Sequence, residues 1–134
     1  MFNKLAVLAL LLLAATNIAC EPGRSIKDRA PDMEVTALAN GFIKCLVEED
    51  FSKATGYFNA QMKRVAPDSS LQRRWEGTIE QLGPYHGIFN KEVEAVNTNQ
   101  AVNVITCFAE GQLNIRILFD SDNLITGLWF KPLE

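Results

Sequence analysis

The chain has 134 residues, about the length of one domain, and a formal net charge of -3 at pH 7. Its 13 Lys and Arg residues are scattered along the sequence, which argues against nucleic acid as a partner. The three cysteines form no Cys-x-x-Cys pair and histidine occurs once, so we expect no structural zinc site and no metal or other cofactor.

Residues 1–20 have the pattern of a bacterial signal segment. A short basic start that contains Lys4 precedes an apolar run, Leu5 to Ala15, of about eleven residues. A membrane-spanning helix needs about twenty apolar residues, so this run is too short to cross a bilayer. We expect the segment to direct export, which places the rest of the chain in the cell envelope or outside the cell.

The end of this segment, from Thr16 to Cys20, resembles the lipobox of bacterial lipoproteins, where a small residue precedes the lipidated cysteine. Ala19 and Cys20 fit that pattern, whereas Asn17 stands where Leu is usual. The resemblance implies a membrane-anchored lipoprotein that contacts the membrane through a lipid on Cys20. Signal cleavage after Thr16, which would leave a secreted or periplasmic soluble protein, is the alternative.

Two further cysteines allow a disulfide. If Cys20 is lipidated, Cys45 and Cys107 remain as an even pair in an oxidising compartment. A bridge between them would close a long loop and stabilise the fold by about 4 kcal/mol. Both cysteines stand among apolar neighbours, so two buried free thiols are the alternative.

The first half of the exported chain has helical periodicity. Residues 21–31 contain Pro, Gly and charged residues and predict a flexible tether, so the domain is expected to span residues 32–134, with Asp32 as helix N-cap. Gly56 and Asn59 interrupt a later helical pattern, which predicts two short helices there. The first helix should bury one stripe of residues: Val35, Leu38, Ala39, Phe42, Cys45 and Leu46.

The last predicted helix has signals at both ends. Ser69 and Gln72 have capping-box spacing, and Gly83 followed by proline ends the helix. Its inner face is expected to hold Leu71, Trp75, Ile79 and Leu82, while Arg73, Arg74 and Glu76 face water.

After Pro84 the apolar period changes to two and predicts four strands, at residues 88–96, 101–109, 112–119 and 124–130. Their short connections require antiparallel neighbours, so the strands form a meander. Apolar residues of the third run share one face of the sheet, while Asn103, Asn114 and Arg116 make the other face partly polar. We therefore predict an α+β fold, with N-terminal helices packed on one face of a curved four-stranded antiparallel sheet.

This order of elements resembles the α+β cone of the nuclear transport factor 2-like superfamily. More narrowly, the chain resembles an uncharacterised bacterial family, the domain of unknown function 3887, over nearly all of residues 35–132. The segments that carry the resemblance are Phe51-Ser52-Lys53-Ala54, Phe58-Asn59-Ala60-Gln61-Met62-Lys63, Leu71-Gln72-Arg73-Arg74-Trp75, Leu82-Gly83, Leu118-Phe119-Asp120 and Ile125-Thr126-Gly127-Leu128-Trp129-Phe130-Lys131-Pro132. These are framework residues, so the resemblance implies a fold and no activity.

A cone of this kind leaves a pocket at its open end, and aromatic side chains are candidates for its lining. The candidate ligand-binding residues are Tyr57, Trp75, Tyr85, His86, Phe108 and Trp129. The alternative assigns the aromatic residues to the core and His86 to a solvated turn between the last helix and the first strand. No residue is singled out as catalytic, because the aspartates stand at predicted caps and turns.

Three functions follow from these observations. The first is a non-catalytic module at the envelope that binds a protein or a small apolar ligand. The second is a small pocket enzyme of the ketosteroid-isomerase or dehydratase type, in which Tyr85 or Tyr57 acts with His86 or an acidic residue. The third is a structural subunit that forms a homodimer through its sheet.

Overall fold

The computed structural model describes residues 30–133, with side chains from Asp32 onward. Within that range, helices come first and strands follow. The elements are α1 (Ala30–Val47), α2 (Phe51–Thr55), α3 (Ala60–Val65), α4 (Asp68–Leu82), β1 (Tyr85–Val96), β2 (Asn99–Phe108), β3 (Gly111–Phe119) and β4 (Ile125–Pro132). The predicted α+β fold, with N-terminal helices packed against a four-stranded antiparallel sheet, is confirmed.

The strands form one antiparallel sheet in the order β1-β2-β3-β4, so each strand pairs with its neighbours along the chain. Tight turns make this meander possible. In the β3–β4 turn, Oδ1 of Asp120 accepts hydrogen bonds from the backbone N–H groups of Asp122 at 2.9 Å and Leu124 at 3.1 Å. These two hydrogen bonds are local, since the aspartate side chain bonds the backbone of its own turn.

The helices cover one face of the sheet, and the core lies between the two layers. Leu113, Ile115, Ile117 and Phe119 of β3 point into this core and are buried, as the alternating pattern predicts. Burying a side chain of this size contributes about 1.5–3 kcal/mol, so these residues attach the helices firmly to the sheet.

Helix α1 packs on β1 and β2 with its predicted stripe toward the core. Five residues of this stripe are buried, Val35, Ala39, Phe42, Cys45 and Leu46, whereas Leu38 is only partly buried and Ile43, outside the predicted stripe, is buried beside them. The prediction of Asp32 as N-cap is wrong, because α1 begins two residues earlier, at Ala30. Asp32 lies in the first turn, where a carboxylate interacts favourably with the helix dipole, and its Oδ1 accepts a hydrogen bond from Nε2 of Gln100 at 3.2 Å.

Helices α2 and α3 are the two short helices expected from the interrupting Gly56 and Asn59. Asp50 caps α2 and Asn59 caps α3, each through a side-chain oxygen that accepts a backbone N–H. Nδ2 of Asn59 also donates to Oδ2 of Asp120 at 3.3 Å, and its backbone N–H donates to the carbonyl oxygen of Ile125. These contacts join the helical half of the chain to the start of β4.

Helix α4 is confirmed, but its start differs from the prediction. The Ser69–Gln72 capping box does not form, because Ser69 lies within the helix and Gln72 donates to a carboxylate one turn further on. Asp68 instead accepts a hydrogen bond from the Thr55 hydroxyl at 2.6 Å, which links α4 to α2. Gly83 ends the helix with a φ of 80°, a conformation that favours glycine.

The predicted turn around His86 is part of β1. Tyr85 pairs with Phe108 and Gly87 with Cys107, so His86 is the extra residue of a β-bulge between the two pairs. The turn prediction is wrong because Gly83 has already reversed the chain direction, which lets the strand begin directly after Pro84. His86 is exposed to solvent, as the prediction of a solvated residue requires.

Candidate functional site: a groove along helix α4

A groove of about 480 Å³ lies between helix α4 and the adjoining ends of β3 and β4. A volume of this size is typical of small-molecule sites. The helix contributes a mainly polar wall made of Ser70, Arg73, Arg74, Gly77, Thr78 and Gln81. The other wall is apolar and consists of Leu82 at the end of the helix, Leu113 of β3, and Phe130 and Pro132 of β4. We call this feature the α4 groove.

Helical spacing explains why one helix serves both the core and the groove. The groove residues of α4 recur at intervals of three and four between Ser70 and Gln81, which places them along one side of the helix over about 16 Å. Leu71 and Trp75 lie on the opposite side and are buried. Thr78 lies at the boundary, buried, with its hydroxyl donating to the Arg74 carbonyl oxygen at 2.9 Å.

The charge in the α4 groove is exclusively positive, since its lining contains two arginines and no carboxylate. Neither Arg73 nor Arg74 forms an ion pair with a residue that the structure describes. The guanidinium carbon of Arg74 lies over the Phe130 ring, 5.8 Å from its centroid, so the cationic and the apolar walls meet there. The groove therefore offers a positive charge next to an apolar surface.

Gly77 leaves the middle of the helical wall bare. A Cβ atom added to Gly77 would meet no atom within 4 Å, so the packing of the protein does not require a glycine here. In a helix interior, glycine is less stable than alanine by about 0.5–1 kcal/mol. Gly77 therefore lowers the stability of the helix at the position where its missing side chain widens the groove.

The predicted pocket aromatics occupy different places, and none of them lines the α4 groove. Trp75, Tyr85 and Phe108 lie together, with ring centroids 5.6–6.1 Å apart, on the core side of α4. Trp75 and Phe108 are buried and Tyr85 is half-buried. Burial raises the pKa of the Tyr85 hydroxyl above its usual value, because the charged phenolate loses hydration.

Tyr57 and Trp129 are separated from that cluster. Tyr57 packs edge-on against Phe42, with 6.1 Å between ring centroids, and its hydroxyl lies over Gly41 of α1. The indole of Trp129 lies against Gly127 on β4 and is 43% exposed. A role of these aromatic residues and His86 in ligand binding stays a prediction, with the six residues now at several places in the fold.

The acid–base arrangement that a pocket enzyme needs is not found in the described part of the chain. There, neither Tyr57 nor Tyr85 shares a hydrogen bond with a carboxylate or with His86. Asp50 and Asp120 are engaged in the cap and the turn that the sequence predicts. In residues 30–133, no group of three or more His, Cys, Asp or Glu side chains is placed to hold a metal ion.

The face of the sheet opposite the described helices is partly polar, as expected. Nη1 of Arg116 donates to Oε2 of Glu94 at 2.8 Å and to Oδ1 of Asn103 at 3.2 Å. The hydrogen bond from Arg116, and then its charge, lower the pKa of the Glu94 carboxyl. Nδ2 of Asn114 donates to the same Asn103 oxygen at 3.2 Å, while its own Oδ1 is buried without a partner. Homodimer formation through this face stays a prediction.

The cysteine pairing considered from the sequence does not form. Cys45 is a free thiol buried in the core, where burial raises its pKa. Cys107 is disulfide-bonded, and Cys45 is not its partner. Cys20, with its predicted lipid, lies outside the described residues, as do the signal segment and most of the tether. From residue 30 to residue 133, no helix is long and apolar enough to span a membrane.

The sequence correctly places Arg73 and Arg74 in water but does not show that they border a groove. The available signal was Gly77, a glycine within a well-delimited helical pattern that nothing in the local sequence requires. The apolar wall could not be predicted from the sequence, because it combines residues of α4, β3 and β4 that only the packing of the helix on the sheet brings together.

Fold and groove together define a small α+β domain, a helical layer on an antiparallel meander with a basic groove at one side. Its family is shown by comparison with known sequences. The model of the family described as Protein of unknown function (DUF3887) matches residues 39–128, and the chain belongs to this family. No curated protein and no solved structure matches the chain.

Proposed function

We propose that the domain is a non-catalytic binding module that holds a small, largely apolar ligand in the α4 groove. The size of the groove and its mixture of an apolar wall with a few polar groups support this function. The aromatic cluster around Trp75 supports it indirectly, because that cluster fills the core side of α4 and leaves the groove side as the accessible one.

Gly77 is the observation that carries the proposal. Destabilising groups that persist in a folded protein are concentrated at functional sites, where function outweighs a small gain in stability. Gly77 lies in the centre of the helical wall, and any larger side chain would project into the groove. A ligand that contacts the bare backbone of this turn explains why the position lacks a side chain.

A saturation titration with the uncharged fluorophore N-phenyl-1-naphthylamine tests this proposal on the mature protein. We expect one saturable site in the wild type and loss of binding in Gly77→Leu, because the leucine side chain obstructs the middle of the groove. The thermal midpoint of the variant should not fall, since the new Cβ meets no neighbouring atom.

Glu80→Leu is the matched control. It introduces the same side chain on the same helix, at an exposed position outside the groove lining, and should leave dye binding unchanged. Equal binding by wild type and Gly77→Leu would contradict the proposal, as would a wild type that binds no dye.

We further propose that the protein is exported to the cell envelope and held there by a lipid on Cys20, and that its fold belongs to the nuclear transport factor 2-like superfamily. The signal pattern of residues 1–20 supports export, and the order of helices and strands supports the superfamily. The sulfur of Cys20 can carry either a lipid or a disulfide. With Cys45 free and Cys107 disulfide-bonded, the state of Cys20 decides between an anchored and a soluble protein.

Mass mapping of non-reduced peptides from protein isolated from its own cells tests the anchor. We expect a lipid-modified Cys20 peptide in the membrane fraction, and we expect the buried Cys45 to alkylate only after denaturation. A peptide in which Cys20 is bonded to another cysteine would exclude the lipid, and with it the membrane anchor.

A further inference from the structure

We infer that the ligand of the α4 groove is a monomeric alkyl carboxylate. Its anionic group would lie at Arg73 and Arg74, and its alkyl chain would lie against the apolar wall of the groove. This inference rests on the proposed function and names the class of ligand that the same site selects.

The first argument is the state of the two arginines. Arg116 on the sheet shows how this protein satisfies an arginine, with Glu94 at 2.8 Å and Asn103 at 3.2 Å. Arg73 and Arg74 form no such bonds to described residues, although both border a groove that lacks any carboxylate. Two unpaired guanidinium groups at one wall favour an anion and disfavour a cation.

The second argument is the position of Arg74. Its guanidinium lies over the Phe130 ring at 5.8 Å, which restrains the side chain at the border between the two walls. The N–H donors of a guanidinium lie in its plane, so a ring beneath its face leaves them available to a carboxylate. A ligand bound there would meet apolar surface immediately beside the charge.

The third argument is the shape of the apolar wall. Leu82, Leu113, Phe130 and Pro132 form a surface that a small inorganic anion would leave uncovered. The groove follows α4 for about 16 Å, which suits an extended chain rather than a compact group. A lipid that stays in a bilayer cannot place its chain along this helix, so we assign the site to a free amphiphile.

Displacement of N-phenyl-1-naphthylamine by three probes with the same chain tests the inference. The probes are decanoate, 1-decanol and decyltrimethylammonium, each below its micelle concentration. We expect decanoate to bind about tenfold more tightly than the alcohol, because the carboxylate gains charge-assisted hydrogen bonds. The ammonium probe should bind more weakly than the alcohol.

Two variants locate the effect. In the double variant Arg73→Gln and Arg74→Gln, decanoate and decanol should bind equally, each affinity being corrected for the dye affinity of that variant. Arg64→Gln removes one exposed positive charge from α3, outside the groove, and should leave the preference for decanoate intact. High salt should reduce the preference in the wild type, since exposed charges are screened.

The outcomes separate this inference from the proposed function. Dye binding that Gly77→Leu abolishes, with equal affinities for decanoate and decanol, would overturn the carboxylate and keep the binding module. Binding to vesicles that contain an anionic phospholipid, without binding of monomeric decanoate, would also overturn it. A wild-type protein that binds no dye would instead contradict the proposed binding function itself.

Discussion

The two faces of helix α4 differ in packing: one is buried in the core, and the other borders the α4 groove. On one face Trp75 is only 2% exposed and packs against Tyr85 and Phe108. On the other face Arg73 and Arg74 have no ionic partner in the described chain, and Gly77 has open space where a side chain would be. The first face contributes stability, and the second leaves bonding capacity unused, which is what a ligand requires.

Replacement of Trp75 on the packed face, compared with replacement of the exposed Trp129 of β4, should give the largest effect. We expect Trp75→Ala to lower the free energy of unfolding by about 3–5 kcal/mol, since it leaves a cavity among rings. Trp129→Ala, at a 43% exposed position, should cost only about 1 kcal/mol. Urea denaturation curves measure both, and equal losses would show that Trp75 is not part of the core.

Two glycine-to-alanine changes in helices should alter the stability of the protein in opposite directions. Gly77→Ala should stabilise the protein by about 0.5–1 kcal/mol, because alanine is the better helix former and the added methyl meets nothing. Gly41→Ala in α1 receives the same helical gain, but its methyl would collide with the Tyr57 hydroxyl. We expect a net loss of about 1 kcal/mol there, as in other overpacked cores.

Thermal and urea denaturation of the two glycine variants, measured together, make this comparison independent of helix propensity. A loss of stability in Gly77→Ala would mean that the groove face is packed after all. A gain in Gly41→Ala would mean that Tyr57 moves aside at no cost.

The smallest effect concerns pH and the packed face. Because burial raises the pKa of Tyr85 in the folded protein above its ordinary value of 10.0, the unfolded chain loses this proton first. The stability due to this shift is therefore complete below about pH 10 and lost as pH rises through the folded-state pKa. Tyr85→Phe should show a smaller fall in urea midpoint between about pH 8 and pH 11 than the wild type. An identical fall in both would indicate that the Tyr85 hydroxyl is solvated.

Much of the fold could be predicted because local patterns and the fold agree. The buried stripe of α1, the alternation on β3 and the turn at Asp120 all depend on neighbours close in sequence. The wrong predictions concern positions where a residue distant in the sequence determines the local structure. Asp68 bonds to Thr55 of α2, and the start of β1 is held by pairing with the end of β2.

The candidate site was less accessible to prediction. Aromatic residues attract attention as pocket linings, but Trp75 and Phe108 gain most by leaving water entirely. The groove is lined instead by exposed arginines and a glycine, types that are common on any helix surface. Their meaning depends on the neighbouring strand, which the helix sequence does not specify.

The sequence by itself determined the order of helices and strands, the antiparallel meander and the family, because periodicity and turn residues act over a few positions. The tertiary structure alone decided which surface is a groove, that Cys45 is not bonded to Cys107, and that Arg74 lies beside Phe130. These features depend on residues far apart in the sequence, such as Arg74 and Phe130, and such contacts are set by how the layers pack.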